Sequence, residues 1–289
     1  MEYKKNHTIP RVILKEWVSK KDGLEGVFVY EIDKKKEYFS SAKGGRGFSF
    51  AITNFLYVPD IDGKKHPNLE KWKSGLESVL SKFIRSIKSQ QVKGLVKDNA
   101  ELALILMSII SLDATSKYDI ELGYKFLIDN PEYKKLISGE PEREIKILLL
   151  ENAVNSVNEE ISNYEAIEFT VLTAGEDSEF IYCDRPLISK PFDETSFIVL
   201  TKNTLLAFKN VKGTSTIEYK ECRPDMVDNV NQLMVERSRE WIIASKQAIL
   251  DKYKAIIGSD RWIRSVKEDR IVYTPIKNLK HGNYFKSLE

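Results

Sequence analysis

Ile167-Glu168-Phe169-Thr170-Val171-Leu172, Glu179-Phe180-Ile181-Tyr182-Cys183, Ser196-Phe197-Ile198-Val199-Leu200 and Thr204-Leu205-Leu206-Ala207-Phe208 follow one another as short apolar runs separated by turns. They are rich in β-branched and aromatic residues, which fit a pleated, half-buried surface. Thr216-Ile217-Glu218-Tyr219 adds a further strand. No helical period separates these runs, so they predict an antiparallel sheet rather than alternating βαβ units.

Upstream the period changes. Leu69, Trp72, Leu76, Val79, Leu80, Phe83, Ile84 and Ile87 recur at three and four residues, which marks one face of a helix. Asp98-Asn99-Ala100-Glu101 offers a capping box to a second helix rich in Leu, Ile and Met. Shorter helical pieces are expected over 118–128 and 131–137, and Pro141 starts one that runs to about Ile161. Downstream of Pro224, the spacing of Val230, Leu233, Met234, Trp241, Ile242, Ile249, Tyr253, Ile256 and Ile257 predicts one long helix over 225–258.

Nearer the start, Pro10 reads as the first residue of an amphipathic helix. Thr8 stands near its cap, and Val12, Ile13, Leu14 and Trp17 lie on its apolar face. Gly23 to Gly26 break that pattern. Val27-Phe28-Val29-Tyr30-Glu31-Ile32 and Glu37-Tyr38-Phe39 then form a hairpin about Asp33–Lys36. Gly44-Gly45-Arg46-Gly47-Phe48 matches neither a phosphate loop nor a dinucleotide fingerprint and reads as a connection. The expected fold is α+β in a single domain over 1–289. It has an N-terminal helix and hairpin, a central helical subdomain (66–164), an antiparallel sheet (165–222) and a long C-terminal helix (225–258).

A chain of 289 residues buries roughly three-quarters of its unfolded surface and needs no disulfide or metal to hold a core. Its two cysteines, Cys183 and Cys222, form neither a zinc spacing nor a C-x-x-C pair, which points to a reducing, cytoplasmic compartment. The opening residues lead into no apolar signal region, and no apolar run approaches the roughly 18 residues of a membrane span. Net charge is +2 but unevenly spread. Residues 1–97 carry 20 Lys+Arg and 11 Asp+Glu, residues 98–180 carry 6 and 18, and the remainder 19 and 14. Basic outer segments suit a polyanion such as nucleic acid. The same pattern also suits an acidic middle that pairs with basic flanks on folding.

Asn6–Trp17, Tyr57 with Leu69–Glu77, and Ile181–Ile188 carry short motifs that together resemble the family catalogued as domain of unknown function 4238 (DUF4238). Asn6-His7-Thr8-Ile9-Pro10-Arg11-Val12-Ile13-Leu14-Lys15-Glu16-Trp17 is similar to the family's His, Pro, Leu-Lys and aromatic opening. Tyr57 with Leu69-Glu70 and Leu76-Glu77 resembles its tyrosine before a glutamate-bearing helix. Ile181-Tyr182-Cys183-Asp184-Arg185-Pro186-Leu187-Ile188 keeps the aspartate and proline of its Thr-Ser-Asp-Asn-Pro strand end, and an asparagine-bearing helix follows at Asn231. Cys183 and Arg185 stand where the family has serine and asparagine. Ile110-Ser111-Leu112-Asp113-Ala114-Thr115 lacks the family's arginine-proline pair. The resemblance brings no activity with it. It supplies positions: His7, Glu70, Glu77, Asp184, Arg185 and Asn231.

Seven residues apart, Glu70 and Glu77 lie on nearly one helix face beside an apolar stripe, where desolvation raises a carboxylate's pKa and suits it to acid–base work. Together with His7 and Asp184 they offer mixed nitrogen and oxygen ligands to a divalent metal ion, which activates water against a phosphodiester. Structural roles stand beside these. His7 would donate to a carbonyl at the start of the first helix, and Glu70 would be a favourable first-turn charge. Asp184 would cap a strand-ending turn, and Asn231 would cap its helix or cross-link it to the sheet. His66 and His281 read as solvent-exposed, and both cysteines as small buried residues. Two functions follow. The first is a hydrolase of nucleic acid or another phosphate ester, with His7, Glu77 and Asp184 catalytic and Arg185, Asn231 and Glu70 binding substrate. The second is a non-catalytic binding or regulatory subunit that engages a partner protein, as in a bacterial antiviral defence or stress system.

Overall fold

The computed structural model describes residues 6–7, 9–41, 48–53, 67–91, 94–95, 99–129, 131 and 141–268. The chain opens with β1 (Asn6–His7). The turn α1 (Arg11–Leu14) follows and tightens into a 3-10 turn over Lys15–Trp17. The expected amphipathic helix is therefore short. It begins one residue later than predicted, because Pro10 (ψ 136°) is the cap itself, and its carbonyl accepts the Ile13 and Leu14 N–H groups. Its face is nonetheless buried: Ile13, Leu14 and Trp17 lose all exposure, and Trp17 Nε1 donates to the Phe180 carbonyl at 2.7 Å.

Next come β2 (Ser19–Lys21), β3 (Leu24–Glu31) and β4 (Lys36–Ser41). Asp22 and Gly23 both take positive φ (50° and 73°), which is what a two-residue hairpin turn between twisted strands requires. The expected break at Gly23 is thus a hairpin, and β2 is a strand the apolar pattern does not show. Gly26 faces the Phe39 ring, and a Cβ there would stand 2.8 Å from it and closer still to the Ser40 carbonyl. Gly26→Ala is expected to cost about 2 kcal/mol by overpacking. A chemical-denaturation midpoint checks this, and an unchanged midpoint refutes it.

After β5 (Ile52–Thr53), which pairs with β1, come α2 (Pro67–Lys88), β6 (Gly94–Leu95), α3 (Asn99–Ala114), α4 (Lys117–Asp129) and α5 (Pro141–Ser162). The predicted stripe of α2 is its buried side: Leu76, Leu80, Phe83, Ile84 and Ile87 are all buried, with Phe83 against Phe169 at 5.9 Å. Asp98, the 132–137 piece, Gly44–Gly47, Tyr57, His66 and His281 lie outside the described residues.

Strands β7 (Ala166–Ala174), β8 (Tyr182–Cys183), β9 (Leu187–Phe192), β10 (Thr195–Thr201), β11 (Thr204–Val211) and β12 (Thr216–Cys222) follow. Five of them, with β6, form a six-stranded sheet in the order β6-β12-β7-β11-β10-β9. The β12–β7 pair is parallel, so the sheet is mixed rather than purely antiparallel.

The predicted helix over 225–258 is corrected. It is α6 (Pro224–Arg237), then β13 (Trp241–Ala244), then α7 (Gln247–Lys254), with α8 (Asp260–Glu268) beyond. Trp241, Ile242, Ile243 and Ala244 are all at most 1% exposed, a continuous burial that a surface helix cannot give but a central strand can. β13 lies between β3 and β8 in the second sheet, ordered β2-β3-β13-β8 with β4 also on β3. Both sheets and helices α2 and α3 contribute to one continuous hydrophobic core, and the α4–α5 face packs a smaller one around Ile120, Leu127, Ile145 and Leu149. The protein is α+β. Among the described residues no helix is long and apolar enough to cross a membrane.

Candidate functional site

The chain must turn sharply between Ser238, which ends α6, and Trp241, which starts β13, and this leaves backbone N–H groups without ladder partners. Asp184, just past β8, meets two of them: its Oδ1 accepts from Arg239 N at 3.1 Å and Trp241 N at 3.3 Å. Burial pushes its carboxyl up to about 6, against the pull of the Arg239, Glu240 and Trp241 backbone N–H groups and of Arg185. Its other oxygen, Oδ2, is buried and has no hydrogen-bond partner.

Two more polar atoms nearby share that condition. Ile243 stands opposite Tyr182, and Ile242 opposite Cys183, so alternation puts Tyr182, Asp184 and Trp241 on one face of the β8–β13 pair. Tyr182 Oη and Trp241 Nε1 are buried without partners. Trp17 packs against Tyr182 at 4.8 Å and Phe50 against Trp241 at 5.0 Å, and burial holds the Tyr182 phenol far above its ordinary range.

Charged side chains from α3, α4 and the end of α6 gather around this face. Arg237 grips Asp113 with one guanidinium nitrogen, at 3.2 and 2.9 Å from the two carboxylate oxygens. Asp113 also accepts from Leu187 N at 3.4 Å. Arg185 Nε lies 3.3 Å from Asp119 Oδ2, and its guanidinium sits over the Tyr118 ring. Ser116 Oγ and Asp119 exchange hydrogen bonds as a cap on α4. Lys117 bridges Glu240 and Glu121.

The electrostatics follow from partial burial. Glu240 is pushed up to about 7 by desolvation, with Lys117 opposing and the charges of Asp184 and Glu121 adding to the rise. Asp119 is raised by burial against the pull of Arg185. Desolvation would lower Lys117, but Glu240 and Glu121 outweigh it and hold it above its ordinary value. Acids that titrate near neutrality beside fixed cations are what proton transfer to an anionic substrate requires.

The structure separates the positions expected from sequence. Asp184 and Arg185 are in this cluster. Asn231 is a tie outside it: fully buried, it accepts from Ile181 N at 2.9 Å and donates to the Glu179 carbonyl at 2.9 Å, fixing the segment that leads into β8. Glu77 is exposed on α2 rather than desolvated, and it lines a small pocket of about 30 Å³ with Pro10, Trp72 and Thr115. The hydrogen-bond and charge partners of Asp184 do not include it. His7 pairs with Ile52 through its backbone and Glu70 lies in α2, and the side chains of both are outside the described residues. Among the described residues no three His, Cys, Asp or Glu side chains gather as a metal-holding group. Cys183 and Cys222 are buried thiols, both raised by desolvation.

Asp113, Lys117, Asp119, Arg237 and Glu240 are not singled out by the sequence pattern alone. Ser116-Lys117-Tyr118-Asp119 carries a recognisable helix-start signal, but a cap says nothing of the partner that its charges meet. Lys117 and Glu240 are 123 positions apart, and only the fold joins them.

Residues 5–248 match the model of the family described as "Protein of unknown function (DUF4238)". No curated protein and no solved structure matches the chain.

Proposed function

We propose that this chain, which belongs to the DUF4238 family, is a hydrolase of phosphate esters whose proton-handling centre is Asp184 with Glu240. The carrying observation is Asp184 Oδ2, a buried carboxylate oxygen without a partner on a group whose pKa is about 6. Its twin oxygen is held by two backbone donors, so the carboxyl is oriented and its free oxygen can take a proton. In the proposed reaction a water loses its proton to Oδ2 as its oxygen bonds to phosphorus. The ester P–O bond then breaks, and Glu240, whose carboxyl burial pushes up to about 7, gives its proton to the leaving oxygen. Arg185 and Lys117 supply positive charge beside the anionic phosphoryl oxygens. The excess of lysine and arginine in residues 1–97 supports a polyanionic substrate, with nucleic acid the leading choice.

Turnover of bis(p-nitrophenyl) phosphate and of single-stranded DNA and RNA, with and without added magnesium or manganese, tests this. Asp184→Asn keeps the Oδ1 acceptor and is expected to fold yet lose at least about a hundredfold in rate. Glu240→Gln is expected to remove the high-pH limb of the rate profile. Hydrolysis that survives in a folded Asp184→Asn protein refutes the assignment. Failure of the wild type to cleave any of these substrates refutes the activity and favours a non-catalytic binding role.

A further inference from the structure

A cleft opens where α2 ends over the near ends of β7, β10, β11 and β12, with a volume of about 280 Å³. That is close to the lower bound of small-ligand pockets, roughly 300 Å³. We propose that it binds a small polyhydroxylated ligand the size of a monosaccharide, independently of Asp184.

The floor of the cleft carries hydroxyls. Thr173 is the register partner of Thr204, and Thr204 of Thr201, so three threonines stand side by side across β7, β11 and β10. Directly opposed residues share a face of the sheet. The register of β10 shifts between Val199 and Thr201, an irregularity of the kind that re-aims a side chain.

The wall is the Lys202-Asn203 turn, and it is pinned from behind. Phe180 N donates to the Lys202 carbonyl at 2.7 Å, and Ala174 N to the Asn203 carbonyl at 2.9 Å. Asn203 N in turn donates to Thr201 Oγ1 at 3.2 Å. With those main-chain groups satisfied, the side chains of Lys202 and Asn203 are what the turn offers, and a pinned loop binds at a low ordering cost.

The opposite rim supplies a second amide. Gln90 follows α2 in the left-handed conformation (φ 50°), where glycine would be unstrained. Gln91 N closes the helix on the Ser86 carbonyl at 3.0 Å. Hydroxyls and amides each donate and accept, which matches the adjacent hydroxyls of a polyol.

Charge narrows the choice. Glu16 and Lys88 neutralise each other at 2.9 Å, and among the described residues Lys202 has no ion-pair partner. The helix end at the cleft is the carbonyl end, whose partial charge repels a bare phosphate. The lining thus suits an uncharged sugar ring carrying at most one anionic substituent, placed against Lys202.

The test is a ¹H–¹⁵N NMR titration of the full chain with ribose, ribose 5-phosphate and inorganic phosphate, each to about 10 mM. Both sugars are expected to shift the amides of Thr201, Lys202, Asn203 and Thr204, with the phosphorylated one binding more tightly and inorganic phosphate moving none. Lys202→Ala is expected to abolish the difference between the two sugars. Gln90→Gly is expected to weaken both about tenfold while the melting temperature holds or rises, because glycine suits that backbone. Asp184→Asn leaves the titration unchanged, which separates this site from the hydrolytic one. Shifts produced by inorganic phosphate alone, or by neither sugar, overturn the proposal, as does unaltered sugar affinity in Gln90→Gly.

Discussion

Asn231→Leu is expected to lower the free energy of unfolding by about 4 kcal/mol, the loss of two buried backbone partners at roughly 1–3 kcal/mol each plus local misfit. The asparagine has no exposed surface. Its amide satisfies one N–H, that of Ile181, and one carbonyl, that of Glu179, on a segment with no strand partner at those positions. Leucine has a similar volume, so the cost comes from stranded polar groups rather than from a cavity. Asn231→Asp should fall between the two, since a carboxylate accepts from Ile181 but donates nothing to Glu179. Urea unfolding of the three proteins measures this. A loss below about 1 kcal/mol for the leucine variant would show that the tie is dispensable.

The second large effect is on pH dependence. Asp184 titrates at about 6 in the folded protein against an ordinary 3.8, so between those values the folded state holds a proton that the unfolded chain has released. Its contribution is greatest below pH 3.8, declines as pH rises towards 6 and is level above. Glu240 acts in the same direction between 4.5 and about 7. Glu31 and Asp228, both held low in the fold, act oppositely: their stabilisation is present above the ordinary carboxylate range and is lost on acidification. For Glu31, burial works against the Lys34 and Tyr38 hydrogen bonds that win, while the Lys252 and Tyr253 bonds dominate at Asp228.

Ionising Asp184 therefore costs about 3 kcal/mol of stability by pH 7. Asp184→Asn cannot ionise, so its stability is expected to fall by roughly 2.4 kcal/mol less than that of the wild type between pH 4 and pH 7. Denaturant unfolding across that range, on both proteins, supplies the two slopes. Equal slopes would mean that Asp184 is not the buried acid described.

How much of this was visible in the amino-acid order depends on whether a segment's burial partner is near or far. The stripe of α2 repeats over five turns and declares its face unaided. The runs that became β7, β10 and β11 have turns on both sides and pair with each other, so their type was plain. Trp241–Ala244 has no period at all. Its strand identity is set by β3, about 210 residues earlier, and by β8, and helical spacing on either side drew it into one false helix. β2 failed for another reason: Ser19-Lys20-Lys21 is polar, and only Asp22-Gly23 betrays the hairpin. In the candidate site, Asp184 and Arg185 are picked out only by the family resemblance of the Ile181–Ile188 segment. Lys117 and Glu240 look like ordinary surface charges until the fold brings them together.

The position of β13 between β3 and β8 also governs how the protein emerges during synthesis. The hairpin of β3 and β4 leaves the ribosome before the strand that covers its other edge, which arrives about 210 residues later. At 5–20 residues per second that is roughly 10–40 s. Throughout that interval the nascent chain displays an open, largely apolar edge at Phe28–Glu31, and chaperones that shield such edges would meet it there first.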